Sequence, residues 1–118
     1  MLKLNHKNLA VWGKSLNLIR EVYKLTKKLP KEEQYVLTSQ LRRASVSVAS
    51  NIAEGASRKS TIERRRFYQI SRSSSVEIDT QIEICMLLQY FNDSELKDLD
   101  AELNNVFALL TAMINNTK

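Results

Sequence analysis

The sequence predicts an all-α fold, an antiparallel up-down-up-down four-helix bundle, and three observations predict it. Apolar residues recur at spacings of three and four in four separate stretches, the signature of amphipathic helices. Turn formers are scarce, with two glycines and one proline in 118 residues, which disfavours many-stranded β architectures. The stretches are joined by short links, which favours antiparallel neighbours. A chain of 118 residues fits one domain, 1–118, and can bury a core without disulfides or metals. With 43% hydrophobic and 26% charged residues it has a globular composition.

The first helix is expected over about Asn8 to Lys28, with Leu9, Trp12, Leu16, Ile19 and Tyr23 inward. Lys27 and Lys28 suit the negative end of its dipole, and Pro30 stops it. The second starts near Lys31-Glu32-Glu33, where acidic residues suit the positive helix end. Its inner face is Leu37, Leu41, Ala44, Val48 and Ile52, its middle is rich in small residues, and Gly55 is the expected left-handed terminator.

Ala56 to Lys59 form the next link, and Ser60-Thr61-Ile62-Glu63 matches a capping box. The third helix is expected from Thr61 to about Phe91, about 45 Å long. Phe67, Ile70, Ser74, Ile78, Ile82, Cys85 and Leu88 point inward, and the serines of 71–75 invite a kink or break. Asn92-Asp93-Ser94 supplies a turn and N-cap. The fourth helix carries Leu96, Leu99, Leu103, Val106, Leu110 and Met113, a heptad seam that fades at Asn115 to Lys118.

Charge is distributed unevenly. Residues 1–72 hold 16 lysines and arginines against 5 carboxylates, a surplus of 11 positive charges. Residues 73–118 hold 2 against 8, a surplus of 6 negative charges. Such asymmetry predicts an anionic partner for one region, or self-association between regions of opposite sign.

The densest basic constellation is Arg42 and Arg43 in the second helix, Arg58 and Lys59 in the link, Arg64, Arg65 and Arg66 opening the third helix, and Arg72 beyond. Six of these eight lie within 58–72, where only Glu63 opposes them. A guanidinium fork matches phosphate oxygens, and free N–H groups at a helix start favour anions. The constellation therefore points to RNA or DNA, with Tyr68 and Phe67 as possible stacking partners. Three consecutive arginines span about 200° of helix and cannot share one face. The competing readings are a solvated face with local ion pairs and a subunit interface. Trp12 and Tyr23 read as core or interface anchors.

A second constellation is polar. Ser47, Asn51 and Glu54 on the second helix share their spacing with Ser74, Glu77 and Gln81 on the third. On antiparallel neighbours the two stripes meet. A hydrogen-bond network fixing helix register, with Arg43 or Arg72 as counter-ion, is favoured over acid–base chemistry, since no nucleophile accompanies the carboxylates.

No enzyme is predicted. The chain carries no P-loop, dinucleotide fingerprint or nucleophile elbow. No cofactor or metal is expected, because His6, at a terminus expected to fray, lacks Cys or His neighbours. Cys85 reads as a small buried hydrophobe. No signal peptide or spanning segment is apparent, so a soluble cytoplasmic protein is expected.

Several blocks carry a family resemblance: Val11-Trp12; Gln40-Leu41-Arg42-Arg43-Ala44 with Ser47-Val48; Asn51-Ile52-Ala53-Glu54-Gly55 with Arg58; and Phe67-Tyr68 with Arg72, Ser74 and Glu77. Over nearly the whole chain they resemble the four-helix bundle family encoded within intervening sequences of bacterial 23S ribosomal RNA genes. That family is similar in fold to the accessory protein of diversity-generating retroelements, which binds nucleic acid and a reverse transcriptase. The resemblance implies an antiparallel bundle assembling into a homo-oligomeric ring, often a pentamer, with a nucleic-acid role and room for a protein partner. The sequence departs from the pattern at Ser71-Arg72-Ser73-Ser74, where Ser73 stands in place of a glycine.

Overall fold

A computed structural model describes residues 1–117 and contains four helices: α1 at Ala10–Thr26, α2 at Leu37–Ser57, α3 at Thr61–Leu87 and α4 at Lys97–Asn116. Short 3-10 turns at Asn5–Asn8, Lys31–Glu33 and Asp93–Leu96 join or precede them. Contacts run round a square, α1 to α2 to α3 to α4 and back to α1, and the α2–α3 pair is the most extensive.

Direction follows from the partners. Along α2 and α3, Gln40 meets Gln81, Ser47 meets Ser74 and Val48 meets Ser71, so one numbering rises as the other falls. Arg65 meets Thr117 and Arg72 meets Thr111 between α3 and α4. Lys14 meets Glu102, and Lys28 just beyond α1 meets Glu95 just before α4. Three antiparallel pairs round a square leave α1 and α2 opposed as well. This is the expected bundle. Its long axis of 44 Å matches the 27-residue α3, about 40 Å at 1.5 Å per residue.

Two inner faces are those the periodicity indicates. Leu37, Leu41, Ala44, Val48 and Ile52 of α2 are buried. So are Leu99, Leu103, Val106, Leu110 and Ile114 of α4, with Leu96 and Met113 packed at the edge.

The α1 face is rotated from the expected one. Val11, Ser15, Leu18, Val22 and Leu25 are buried, whereas Leu9, Leu16 and Tyr23 are exposed. Ser15 takes a core position because its hydroxyl donates to its own helix, at Trp12 O, 2.7 Å away. The α3 face differs in the same way: Tyr68, Ser71, Ser74, Ser75, Ile78, Gln81 and Cys85 are buried, while Ile70 and Leu88 are exposed. α3 is unbroken through its serines, whose hydroxyls find acceptors at Val48 O and Arg72 O.

Helix ends also depart from expectation. Gly55 lies inside α2, which runs on to Ser57 and ends where Arg58 turns extended. A Cβ at Gly55 would stand 2.7 Å from Tyr68 Cε1 and 3.0 Å from Phe67 Cβ, so glycine is needed for close approach of α3 and not for a left-handed turn. The left-handed residue is Gln89, at φ 63°. Tyr90 N–H donates to Cys85 O and Gln89 N–H to Met86 O, the pair of bonds that closes a Schellman cap on α3. Ser60 accepts from Glu63 N–H at 3.3 Å, half of the expected box, whereas Asn92 and Glu95 form the complete box before α4.

His6, expected at a frayed end, is buried edge-on against Trp12, with ring centroids 4.6 Å apart. No helix among the described residues is long and apolar enough to cross a membrane. Lys118, the last residue of the expected fading end of α4, lies outside the described residues.

Candidate nucleic-acid interface

The candidate interface is built where α2 ends and α3 begins. Only Arg58, Lys59 and Ser60 separate the two helices. The Ser60 hydroxyl caps Glu63 N–H, which leaves earlier N–H groups of the first turn without helical acceptors. Five of the eight expected cations gather round this end. Arg58, Lys59 and Arg66 are exposed, and Arg64 and Arg65 are half-buried.

The three consecutive arginines diverge, as their 100° spacing requires. Arg64 Nη1 reaches back to Arg58 O at 3.5 Å. Arg65 Nη2 donates to Thr117 O, tying the start of α3 to the end of α4. Arg66 points to solvent. Arg58 pairs with Glu54 at 3.2 Å and lies over the Phe67 ring, 5.0 Å from its centroid. Phe67 is thus already stacked by a cation of its own chain. Tyr68 is buried against Gly55, and that burial pushes its hydroxyl above the usual phenol range while Arg64 pulls it back.

The other three cations lie elsewhere. Arg42 Nε donates to Thr26 Oγ1 at 2.9 Å, and its guanidinium lies 4.4 Å from the Tyr23 ring centroid, on the α1 side of α2. Arg72 donates to Thr111 Oγ1 at 3.2 Å and lies over Phe107 at 5.8 Å, on the α4 side of α3. Arg43 borders a shallow groove between α2 and α3. Nothing in the local sequence distinguishes Arg42 from Arg43, because the acceptor, Thr26, lies 16 residues away.

The polar stripes meet in part. Ser47 and Ser74 share a hydrogen bond at 2.8 Å, and Asn51 Nδ2 donates to Ser47 O and Oγ. Gln81 is buried and donates to Gln40 Oε1 at 3.5 Å, a partner the spacing did not suggest, and its own Oε1 has no partner. Glu54 turns away to Arg58, and Glu77 stands exposed on the groove that Arg43 also lines. Neither Arg43 nor Arg72 serves as counter-ion within 4 Å of these carboxylates among the described residues. The carboxylates therefore do not face one another as an acid–base pair, and the serines and amides fix the register of α2 on α3.

Cys85 is fully buried, and burial, with Glu33 nearby, pushes its thiol up to about 11. It is a neutral thiol at pH 7, unsuited to nucleophilic attack. No group of three or more His, Cys, Asp or Glu side chains converges among the described residues.

A family profile described as 23S rRNA-intervening sequence protein matches residues 7–112. Among solved structures, the chain is similar to a protein of unknown function from the S23 ribosomal protein family of Bacteroides thetaiotaomicron. The two share 21% identity at a TM-score of 0.81, over 89% of this chain and 98% of the other. At that identity the likeness carries the fold alone. No curated protein matches the chain.

Proposed function

Because the chain belongs to the 23S rRNA-intervening sequence protein family, we propose that it is a non-enzymatic, cytoplasmic, self-assembling accessory protein that binds RNA or DNA electrostatically. The observation that carries this reading is the basic end of the bundle. There Arg58, Lys59, Arg64, Arg65 and Arg66 surround the start of α3, with Glu54 and Glu63 the nearby carboxylates. Phosphate oxygens match exposed guanidinium and ammonium groups, and the exposed helix start adds backbone donors. The contacts these cations offer are to phosphate, which carries no sequence information, so binding is weakly sequence-specific. Assembly into a ring, often a pentamer in proteins of this kind, would present several basic ends at once and raise a weak contact to a strong one.

Lys59 and Arg66 are the cations to test, because both are exposed and neither holds a neighbouring helix in place. Binding of labelled single- and double-stranded RNA and DNA across a salt series should show a steep loss of affinity with salt. The double variant Lys59→Ala/Arg66→Ala should bind more weakly, with a slope of log affinity against log salt shallower by about 1.4–1.8, two phosphate contacts' worth. Arg42→Ala should leave the slope unchanged. A folded double variant that binds like the wild type would remove the basic end from the reading. An assembled wild type that binds neither polymer near physiological salt would replace the reading with that of a protein–protein adaptor.

A further inference from the structure

Two faces of this chain are only partly covered within the bundle, with Arg42 lying over the Tyr23 ring and Arg72 over the Phe107 ring, and they complement each other. The first is the outer face of α1. Leu9, Leu16 and Tyr23 recur at a spacing of seven and are 37%, 42% and 37% exposed. Arg20 and Lys27 flank that face at its α4 edge, where Asp98 also lines the surface; both are exposed and neither is in an ion pair among the described residues. This is an amphipathic stripe, apolar and basic, that the bundle core does not use.

The second face is a groove between α3 and α4. Two cavities of about 250 and 480 Å³ both border Asp79 and Leu103, and so adjoin along one groove. Val76 and Phe107, 50% and 42% exposed, supply apolar surface on opposite walls. Asp79 and Glu83 stand on the α3 wall, and Asp93 and Asp100 on the other. All four are exposed, and none is in an ion pair among the described residues; Lys97 is the one cation lining the groove. From Asp93 to Phe107 the groove runs about 20 Å, against about 27 Å for the 18 helical steps of the α1 stripe from Leu9 to Lys27, so it takes most of the stripe's length.

We infer that the α1 stripe of one copy docks into the acidic α3–α4 groove of a second copy. Leucines 9 and 16 and Tyr23 meet Val76 and Phe107, while Arg20 and Lys27 meet the carboxylate walls. This is the helix-in-groove mode of recognition, here between copies of one chain. Charge complementarity selects the occupant: the stripe is basic, the groove is acidic, and both belong to the same molecule. Stripe and groove are different surfaces, so the contact is heterologous and propagates from copy to copy until a ring closes. The inference rests on the assembly part of the reading above and is independent of nucleic-acid binding.

Charge swaps test it, with mass read by light scattering without nucleic acid and folding checked by circular dichroism. Asp79→Lys/Glu83→Lys and Arg20→Glu/Lys27→Glu should each reduce the wild-type assembly towards the 13.6 kDa chain. Mixing the two variants should restore assembly well above the single-chain mass, because each then offers the other a complementary stripe and groove. A wild type that assembles while both variants assemble equally would overturn this interface and leave self-assembly standing. Disrupted variants that fail to complement each other would overturn it too. A monomeric wild type would remove the assembly reading and the interface together.

Discussion

The α2–α3 pair and the α1–α4 pair solve the same packing problem with different chemistry. α1 and α4 bury aliphatic side chains, Val11, Leu18, Val22 and Leu25 meeting Leu99, Leu103, Val106 and Leu110 in one core. Area removed from water is their main source of stability, and being non-directional it fixes register less sharply than a hydrogen bond to a set partner. α2 and α3 approach through Gly55, Ala44, Ser47, Ser71 and Ser74. They bury less apolar volume per residue but gain hydrogen bonds with fixed partners, which set register. Stability and register are thus supplied by different pairs of one bundle.

The comparison breaks most visibly at Leu110. This fully buried residue should cost about 2–5 kcal/mol when changed to Ala, the range for a leucine cavity in a core. Urea melts of the two proteins would measure it, and a loss under 1 kcal/mol would deny the α4 seam its dominant share. Gly55→Ala comes next. Alanine favours a helix over glycine by about 1 kcal/mol, yet its Cβ would meet the buried Tyr68 ring at 2.7 Å. Overpacking costs about 1–3 kcal/mol, so a net destabilisation is expected at a site where propensity alone predicts a gain. In a Tyr68→Leu background the loss should shrink, with the Phe67 Cβ contact at 3.0 Å still opposing the added methyl. The smallest effect separates two buried serines. Ser71 donates across to Val48 O at 2.7 Å, whereas Ser45 donates within its own helix to Arg42 O at 2.8 Å. Ser71→Ala should lose about 1 kcal/mol, and Ser45→Ala less than half of that. Equal losses would mean that the cross-helix bond contributes nothing to register.

Legibility followed the same division. The α4 seam and the inner face of α2 were readable because their apolar residues occupy one face and polar ones the other. On α1 two apolar stripes compete, and the buried one contains Ser15, which looks polar but satisfies its own hydroxyl. On α3 the buried face is made largely of serines whose acceptors lie on α2 or one turn back, while Ile62 and Ile70 face out. A hydropathy pattern cannot register a small hydroxyl that fits because a neighbouring helix is close. The basic end was legible as a charge run. The engagement of Arg42 by Tyr23 and Thr26, and of Arg72 by Phe107 and Thr111, was not, since each depends on a helix distant in sequence.

The three-residue link between α2 and α3 also sets the order in which the bundle comes together. Closing a loop costs entropy that grows with its length, and each doubling adds about 0.6 kcal/mol. The α2–α3 hairpin closes the shortest loop in the chain and forms its most extensive contact. Contact between α1 and α4 must enclose both intervening helices before any apolar area rewards it. The hairpin with the serine and glycine seam is therefore expected to form before the leucine seam, so φ-values at Ser71 should exceed those at Leu110. The leucine seam between α1 and α4 is, on this ordering, the last contact to form during folding.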